Sequence, residues 1–499
     1  MRHKPHKRLR HDRTKTLLRC LYIMLAIVFA ILSRPILHLT LTALSDRAEV
    51  TNPRSGMVDD ASHLNSTSMN IIQVSNNFLT AKNELQNALK NAKIQGKKVT
   101  IAGSRHTMGG QTTYSNAISL DMSQFKEMTF NSTTEILTVE SGATWSAVIP
   151  YLNEKGYSVS VMQSNNDFSV GGTMSANAHG WQHNHAPFAS TVERFRLMLA
   201  NGSIVQCSRQ ENTELFSLVL GGYGLFGIIL DVDLRVVPNV LYTAERSVIP
   251  SKNYIQQYKQ QVSADTGMAY GRLAVAPDHF LKEAILTTYH KTSNDRQSPL
   301  KTTSDAGIAR TIFRGSIGND YGKNLRWQLE KMNGGEAGSN VSRNEILNRS
   351  SKLFQNNSPT ETEILHEYFI PVESLEKFLT KCRQIFPKHN VDLLNITIRN
   401  VYPDRDSFLR YADEEMFGLV MLFHQKRSLS DDAKMQVLTQ ELIDAVLEVK
   451  GRYYLPYRLH ATPNQFHQAY PQAKQFFNLK RKYDPGERFQ NALYLKYGH

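Results

Sequence analysis

The run that most restricts what this chain can fold into is residues 99–121, VTIAGSRHTMGGQTTYSNAISLD: a β-branched stretch, a turn, and a second stretch ending at Asp121. Glycines 103, 109 and 110 tolerate backbone conformations closed to other residues and leave N–H groups uncovered, so the turn can wrap an anionic group such as a pyrophosphate. His106 sits at its crown. Alone, such a loop reads first as a solvated hairpin with an incidental histidine. Three later stretches change that reading.

The first is Phe168-Ser-Val-Gly-Gly-Thr-Met-Ser-Ala-Asn-Ala-His-Gly180. The second comprises Val192–Leu199, Asn201-Gly202, Ile204–Cys207 and Leu220-Gly-Gly-Tyr-Gly-Leu-Phe-Gly-Ile-Ile-Leu230. The third is Lys482-Tyr-Asp-Pro485 with Phe489-Gln-Asn491. In this order and spacing, the set resembles the flavin domain of the vanillyl-alcohol-oxidase superfamily, the PCMH-type FAD-binding fold, over roughly residues 71–240. The resemblance implies FAD as cofactor. It places Gly103, Ser104, Arg105, His106, Thr107, Gly109 and Gly110 around the pyrophosphate. It sets Ser169, Gly171, Gly172, Ser175, His179 and Gly180 along the dinucleotide and isoalloxazine, with Ile228 and Asn491 completing the cofactor set.

A chain of 499 residues exceeds the usual single domain, so at least two lobes with large cores are expected. Net charge is +13, but the first 19 residues hold eight Lys or Arg against one Asp, leaving only +6 for the remaining 480. The basicity is mostly a tail, which argues against nucleic acid as a partner. Residues 20–33 are apolar and uncharged, and a second apolar run follows Arg34 from Pro35 to Leu44. A spanning helix needs ~20 residues, which Leu17–Ser33 approaches if Arg19 and Arg34 snorkel to opposite interfaces. A cleaved signal peptide is the competing reading. The absence of an adjacent small-residue cleavage site favours an uncleaved, single-pass signal-anchor, with the body on the non-cytoplasmic, periplasmic or luminal side. With Cys20, Cys207 and Cys382 alone, no disulfide scaffold and no C-x-x-C metal knuckle are expected.

The expected organisation is a basic cytoplasmic tail (1–16), a membrane signal-anchor (17–44), a polar linker (45–70, its Ser/Asn/Asp-rich character running to about Ser75), the PCMH-type domain (71–240), a substrate domain (241–450) and a C-terminal segment returning to the flavin (451–499). The pattern is α+β and two-lobed. Thr80 is expected to cap a helix with Leu85, Ala88, Leu89 and Ala92 on its apolar face, ended by Gly96. Strands are expected at Lys98–Ala102 and Glu135–Glu140, and a helix carrying Trp145, Val148, Ile149 and Leu152 stops near Gly156. Gly222-Tyr-Gly-Leu-Phe-Gly227 matches the dinucleotide string G-x-G-x-x-G, yet a helix-like Glu214–Leu220 precedes it and a strand-like Ile228–Val237 follows. That order is the reverse of what the fingerprint needs, so the string reads as a tight helix-to-strand turn. Farther on, Thr292–Ala306 and Asn333–Ser342 read as flexible turns, Glu367–Pro371 and Leu393–Val401 as strands, and Ser374–Phe386 and Ala433–Val449 as amphipathic helices.

His179, His183 and His185 form H-x3-H-x-H, but no carboxylate or cysteine lies at ligand spacing beside them, so no metal is assigned. Ile396-Thr-Ile-Arg399 resembles the strand that carries a Glu-x-Arg pair in alditol and aldonolactone oxidoreductases; Arg399 is kept, whereas Thr397 stands at the glutamate's position. The resemblance implies that Arg399 orients substrate; the alternative is a surface arginine paired with Asp404 or Asp406. Gly451-Arg-Tyr-Tyr-Leu-Pro-Tyr-Arg-Leu-His460 lies where decaprenylphosphoryl-ribose oxidases have a Tyr-Leu-x-Lys strand, with Tyr457 at the lysine's place. His460 is the candidate general base, since its unperturbed pKa of ~6.5 is nearest neutrality; a hydrogen-bonded core histidine is the alternative.

The functional expectation is an FAD-dependent oxidoreductase acting on a CH–OH group of a sugar, polyol, lactone or lipid-linked glycosyl substrate. Its catalytic set is Arg399, Tyr457 and His460, and its electron acceptor is oxygen, a quinone or a protein. The alternative is a flavin-dependent reductase of an unsaturated lipid or sterol. His106 occupies the place where covalent members of the superfamily bond the flavin 8α-methyl. There a glycine precedes the histidine, whereas Arg105 stands here, and its cation would favour a neutral imidazole by lowering the histidine pKa.

Overall fold

The glycine loop hangs from a small parallel sheet. In this computed structural model, which describes residues 8–46, 56–292, 300, 307–332, 338 and 340–499, Val99–Ala102 and Asn70–Gln73 both pair in parallel with Ile118–Asp121. Helix Phe78–Ile94 covers the sheet with Ala81, Leu85, Ala88, Leu89 and Ala92 buried at helical spacing. Its cap is Asn77 rather than Thr80: the Asn77 side chain accepts from the Thr80 backbone N–H at 3.1 Å, so Thr80 is the third helical residue. From the other end of the chain, the Val99 N–H donates to Arg488 at 2.8 Å and the Gln490 N–H donates to Val99 at 3.0 Å. Phe489 thereby enters the core formed by Leu85, Leu89, Phe125 and Ile228.

The stretch expected to be a linker is partly structural. Met57–Val58 pairs with Thr67–Ser68, Asn70–Gln73 is a sheet strand, and the buried Asp60 carboxylate accepts from the Gly110 N–H at 2.8 Å. A polar composition here serves a loop that must satisfy the backbone of another loop. Residues 47–55 of that stretch lie outside the described ones, as do residues 293–299 and 301–306 of Thr292–Ala306 and residues 333–337 and 339 of Asn333–Ser342; Asn340–Ser342 itself is an edge strand.

A second, antiparallel sheet places Ile204–Ser208, Val192–Met198, Ile228–Pro238, Ile136–Glu140 and Met128–Asn131 side by side, with Tyr157–Val159 added along Ile228–Pro238. Helices Trp145–Asn153, Val170–Ala176 and Thr213–Val219 accompany it, and the 222–227 string is the expected turn between helix Thr213–Val219 and strand Ile228–Pro238. The other lobe is built on an eight-stranded antiparallel sheet. Its centre runs Glu283–Lys291, Thr266–Leu273, Asp392–Val401, Met416–Lys426 and Glu361–Pro371, ending with the short strand Arg452–Tyr453. Helices Leu375–Ile385 and Leu429–Leu447 pack beside it.

Residues 8–45 form one helix, Arg8–Ser45, running through Pro35. Its last turns touch the body: Arg34 lies over the Tyr321 ring at 4.0 Å, His38 Nε2–H donates to Gly315 at 2.9 Å, and Asp46, just past the helix, pairs with Arg310 at 2.7 Å. Leu17, Leu18, Leu21, Ile23, Ile36, Leu37, Leu41 and Leu44 are exposed. Among the described residues no helix is long and apolar enough to cross a membrane.

Candidate active site

Two loops meet face to face at Gly103. A Cβ there would stand 2.1 Å from Ser169 Oγ, so only glycine lets the first loop close on the second. Ser169 in turn accepts from the Gly172 N–H at 3.3 Å and starts the short helix Val170–Ala176. Arg105 takes a left-handed φ of 51° and sends its guanidinium to Asp121, 2.9 Å away, at the end of the neighbouring strand. The loop is also pinned by the Ala61 N–H, which lies 3.1 Å from the Arg105 and Thr107 carbonyls.

These loops open onto a cavity of about 1360 Å³ that continues to the eight-stranded sheet. Gly103, Ser104, Arg105, His106, Thr107, Ser169, Gly171, Gly172, Ser175 and His179 line it, as do Arg399 and Tyr457. Five expected cofactor residues stand behind the wall instead. Gly109 allows the close approach of the Tyr457 carbonyl and Gly180 that of Met162; Gly110 takes a φ of 74° and donates to Asp60. Ile228 belongs to the core, where its neighbour Ile229 reaches the cavity, and Asn491 caps helix Ala492–Tyr497 while donating to Tyr223 at 2.8 Å.

The donor set fits FAD. Among the described residues, buried atoms on the cavity-lining residues lack a hydrogen-bond partner: Arg105 Nε and Nη2, Thr107 Oγ1, Ser141 Oγ, Trp181 Nε1 and Arg399 Nε. Orphaned buried polar atoms are costly, so their concentration on residues of one cavity wall fits a polar ligand that settles among them. Bare glycines beside the arginine suit its anionic pyrophosphate.

His106 is stacked on Phe168, ring centroids 4.0 Å apart. Burial lowers its pKa, opposed by the nearby Asp167 charge and backbone. The neutral imidazole expected from the sequence is therefore favoured by burial, whereas the Arg105 cation is engaged with Asp121. The three histidines of H-x3-H-x-H go separate ways. His179 Nε2 lies 2.6 Å from Glu367 Oε1, His183 Nδ1 lies 2.8 Å from the Tyr258 hydroxyl, and His185 Nδ1 donates to the His183 carbonyl at 2.7 Å. Burial pushes His183 down to about 4.

Arg399 faces the cavity and not Asp404 or Asp406. It donates to Ser164 Oγ at 3.0 Å and to the His179 carbonyl at 3.3 Å, while Asp404 accepts from Asn177 and Asp406 holds Arg209. Tyr457 donates to Glu367 Oε2 at 3.3 Å; burial, with the Glu367 charge beside it, keeps its phenol protonated. His460 is a different case. It is absent from the cavity wall, its Nδ1 lies 3.0 Å from Thr439 Oγ1 and its Nε2 3.2 Å from Asp432, which also holds Arg458. The expected general base is thus a hydrogen-bonded core residue, and its lowered pKa reflects burial.

Sequence reasoning missed Glu367, the carboxylate between His179 and Tyr457, and Ser164. The available signal was a glutamate inside a strand whose neighbours are Tyr368, Phe369 and Ile370; charged residues are seldom buried without a partner.

A family model described as FAD binding domain matches residues 78–208, and one described as D-arabinono-1,4-lactone oxidase matches residues 232–497, just over half of the chain. Similar proteins include a D-arabinono-1,4-lactone oxidase of Yarrowia lipolytica, 30% identical over 180 residues, 35% of this chain and 34% of the relative. An L-gulonolactone oxidase of Bos taurus is 26% identical over 173 residues, 34% and 39% of the two chains. Cytokinin dehydrogenase 2 of Arabidopsis thaliana is 32% identical over 133 residues, 26% of each. The chain thus spans about a third of the length of the first two relatives and about a quarter of the third.

Proposed function

Since the chain belongs to the D-arabinono-1,4-lactone oxidase family, we propose that it is an FAD-dependent oxidoreductase that oxidises a CH–OH carbon of a sugar lactone or a closely related polyhydroxylated substrate. The observation that carries this reading is one cavity joining the two glycine loops to Arg399, so that cofactor and substrate share one space. Bound FAD supplies the two-electron acceptor for the carbon–hydrogen bond.

The protein's part is holding and aligning. Ser104, Arg105 and Thr107, with Gly171 and Gly172 across from them, hold the pyrophosphate end. Ser175 and His179 lie toward the substrate end, and Arg399, braced by Ser164, points donors at a hydroxyl or carbonyl oxygen. Such fixed donors reduce the entropy lost on reaching a reactive arrangement. Tyr457 stays a neutral phenol and donates, which distinguishes this site from one with a cationic lysine.

His106 is proposed to bond the flavin 8α-methyl carbon covalently, its buried neutral imidazole being the nucleophilic form; a methyl C–H proton would be lost, and the two electrons would pass through the flavin ring to the enzyme's electron acceptor. The apolar segment 17–44 is proposed as a single-pass signal-anchor with the body on the non-cytoplasmic side, supported by the exposed leucines and isoleucines of the Arg8–Ser45 helix and by the dense positive charge before them. The electron acceptor is oxygen, a quinone or a protein partner. The test is a panel of aldonolactones, sugars and polyols added anaerobically to the purified yellow protein. Bleaching by a lactone or sugar supports the reading, and reduction by nicotinamide nucleotides with none by any carbinol counts against it.

A further inference from the structure

Glu367 is 2% exposed, yet it stands on the wall of the cavity. Burial works to raise its pKa, but the charge and hydrogen bond of His179, the Arg399 cation and the Tyr457 hydroxyl outweigh that and hold the carboxyl below its ordinary value. It is a carboxylate at neutral pH. Burying such a charge costs several kcal/mol that its partners must offset, and well-packed apolar groups commonly serve stability as well. Packing alone therefore does not account for a charge at this position.

The sheet register shows what the charge faces. Glu367 pairs with Val420, and Val420 pairs with Thr397, so the three form one row across neighbouring strands, and all three line the cavity. The next row is Phe369, Gly418 and Arg399. A Cβ on Gly418 would stand 3.1 Å from Glu367 Oε1 and 3.2 Å from His179 Cε1, so the missing side chain makes room for the carboxylate–imidazole pair. Oε1 is taken by His179 at 2.6 Å, whereas among the described residues Oε2 accepts only from Tyr457, at a long 3.3 Å. A carboxylate has about four acceptor sites, so Oε2, on a residue of the cavity wall, keeps unused acceptor capacity. Beside it, Arg399 has an orphaned Nε and its two terminal nitrogens braced by Ser164 and His179.

Resting on the oxidoreductase reading above, we infer that Glu367 is a substrate-binding residue. Its Oε2 accepts a hydrogen bond from one hydroxyl of the substrate, while Arg399 donates to another oxygen of the same molecule. Of the several hydroxyls on such a substrate, one besides the reacting hydroxyl is thereby made necessary for binding. A site built to bond a hydroxyl rejects an analogue lacking it far more strongly than an apolar pocket does.

The experiment compares the wild-type holoenzyme with Glu367→Gln, with Glu367→Asp, and with Glu367→Gln combined with Thr397→Glu, which moves the carboxylate two strands along the same row. Three readouts are taken: steady-state kinetics on a lactone, the same on its deoxy analogue, and quenching of tryptophan fluorescence by the lactone, since Trp181 lines the cavity against Tyr270. Glu367→Gln should keep its flavin and raise KM about tenfold or more, roughly 1.4 kcal/mol, a larger change than any fall in kcat. It should also weaken quenching equally and shrink the discrimination against the deoxy compound. The double variant should recover part of the loss. Unchanged KM, quenching and discrimination in Glu367→Gln would overturn the inference, as would a fall in kcat alone. If Glu367→Gln does not fold, Glu367→Asp carries the same comparison. The fluorescence titration needs no turnover, so a wild type that binds lactone through Glu367 without oxidising it would refute the oxidoreductase reading and leave this inference standing.

Discussion

His106 lies face to face with Phe168, their ring centroids 4.0 Å apart and their planes inclined by 19°. The stack fixes an imidazole that burial keeps neutral, on a loop that lines the cavity. Acid precipitation of the wild-type protein should therefore carry yellow colour into the pellet, and His106→Ala should release it. Free FAD in the wild-type supernatant would show that the bond does not form, with the remaining assignments intact.

Gly103→Ala should be among the most damaging single-methyl changes in the chain. The new Cβ would collide with Ser169 Oγ and Cβ, at 2.1 and 2.8 Å, and relief requires moving the residue that caps Val170–Ala176. Overpacking of this kind costs about 1–3 kcal/mol and a lost cap about 1 more. Weaker flavin retention and a lower Tm are the expected readouts, with partial recovery when Ser169→Gly is added.

His460→Ala should lower stability by about 1–3 kcal/mol, because Asp432 and Thr439 lose a buried partner. The kcat should stay within about threefold of wild type, since the residue does not reach the cavity. A thousandfold fall in kcat, with the melting temperature unchanged, would return His460 to the reaction.

Glu140 provides a pH test. Burial first, then the neighbouring Glu127 and Asp231 charges, push its carboxyl up to about 7 from 4.5, against the pull of its backbone hydrogen bond and Arg196. The folded state thus holds this proton more tightly than the unfolded chain does. Its contribution is fully present below pH 4.5 and is lost as pH rises through about 7. Relative to wild type, Glu140→Gln should gain stability between those values, by about 1 kcal/mol or roughly 2 °C in Tm for a chain this long. Parallel pH profiles of Tm for the two proteins would contradict the assignment.

Local chemistry made much of this architecture readable before any coordinates. Glycines 103, 109 and 110 between β-branched runs read as a ligand-wrapping loop once the 168–180, 192–230 and 482–491 stretches stood beside them, and the helix-then-strand order around 222–227 excluded a nucleotide fingerprint there. What stayed hidden is non-local. Glu367 and Thr397 are 30 positions apart, and only the sheet register puts them in one row. Asp60 looked like linker because its partner, the Gly110 N–H, lies 50 positions away. His460 has short-range neighbours that resemble a catalytic strand, while its hydrogen-bond partners, Thr439 and Asp432, come from the distant helix Leu429–Leu447, so its sequence left a catalytic and a core reading both open.

The central claim is that one cavity holds FAD at the glycine loops and a hydroxylated substrate at Arg399. The most direct measurement is an anaerobic stopped-flow titration of the purified full chain with an aldonolactone, following the flavin absorbance. The account predicts bleaching that saturates with lactone concentration, with Arg399→Ala keeping its bound FAD but needing about tenfold or more lactone for the same rate, roughly 1.4 kcal/mol of lost binding. A purified protein with no flavin spectrum, or one whose flavin is bleached equally well with and without Arg399, would contradict it.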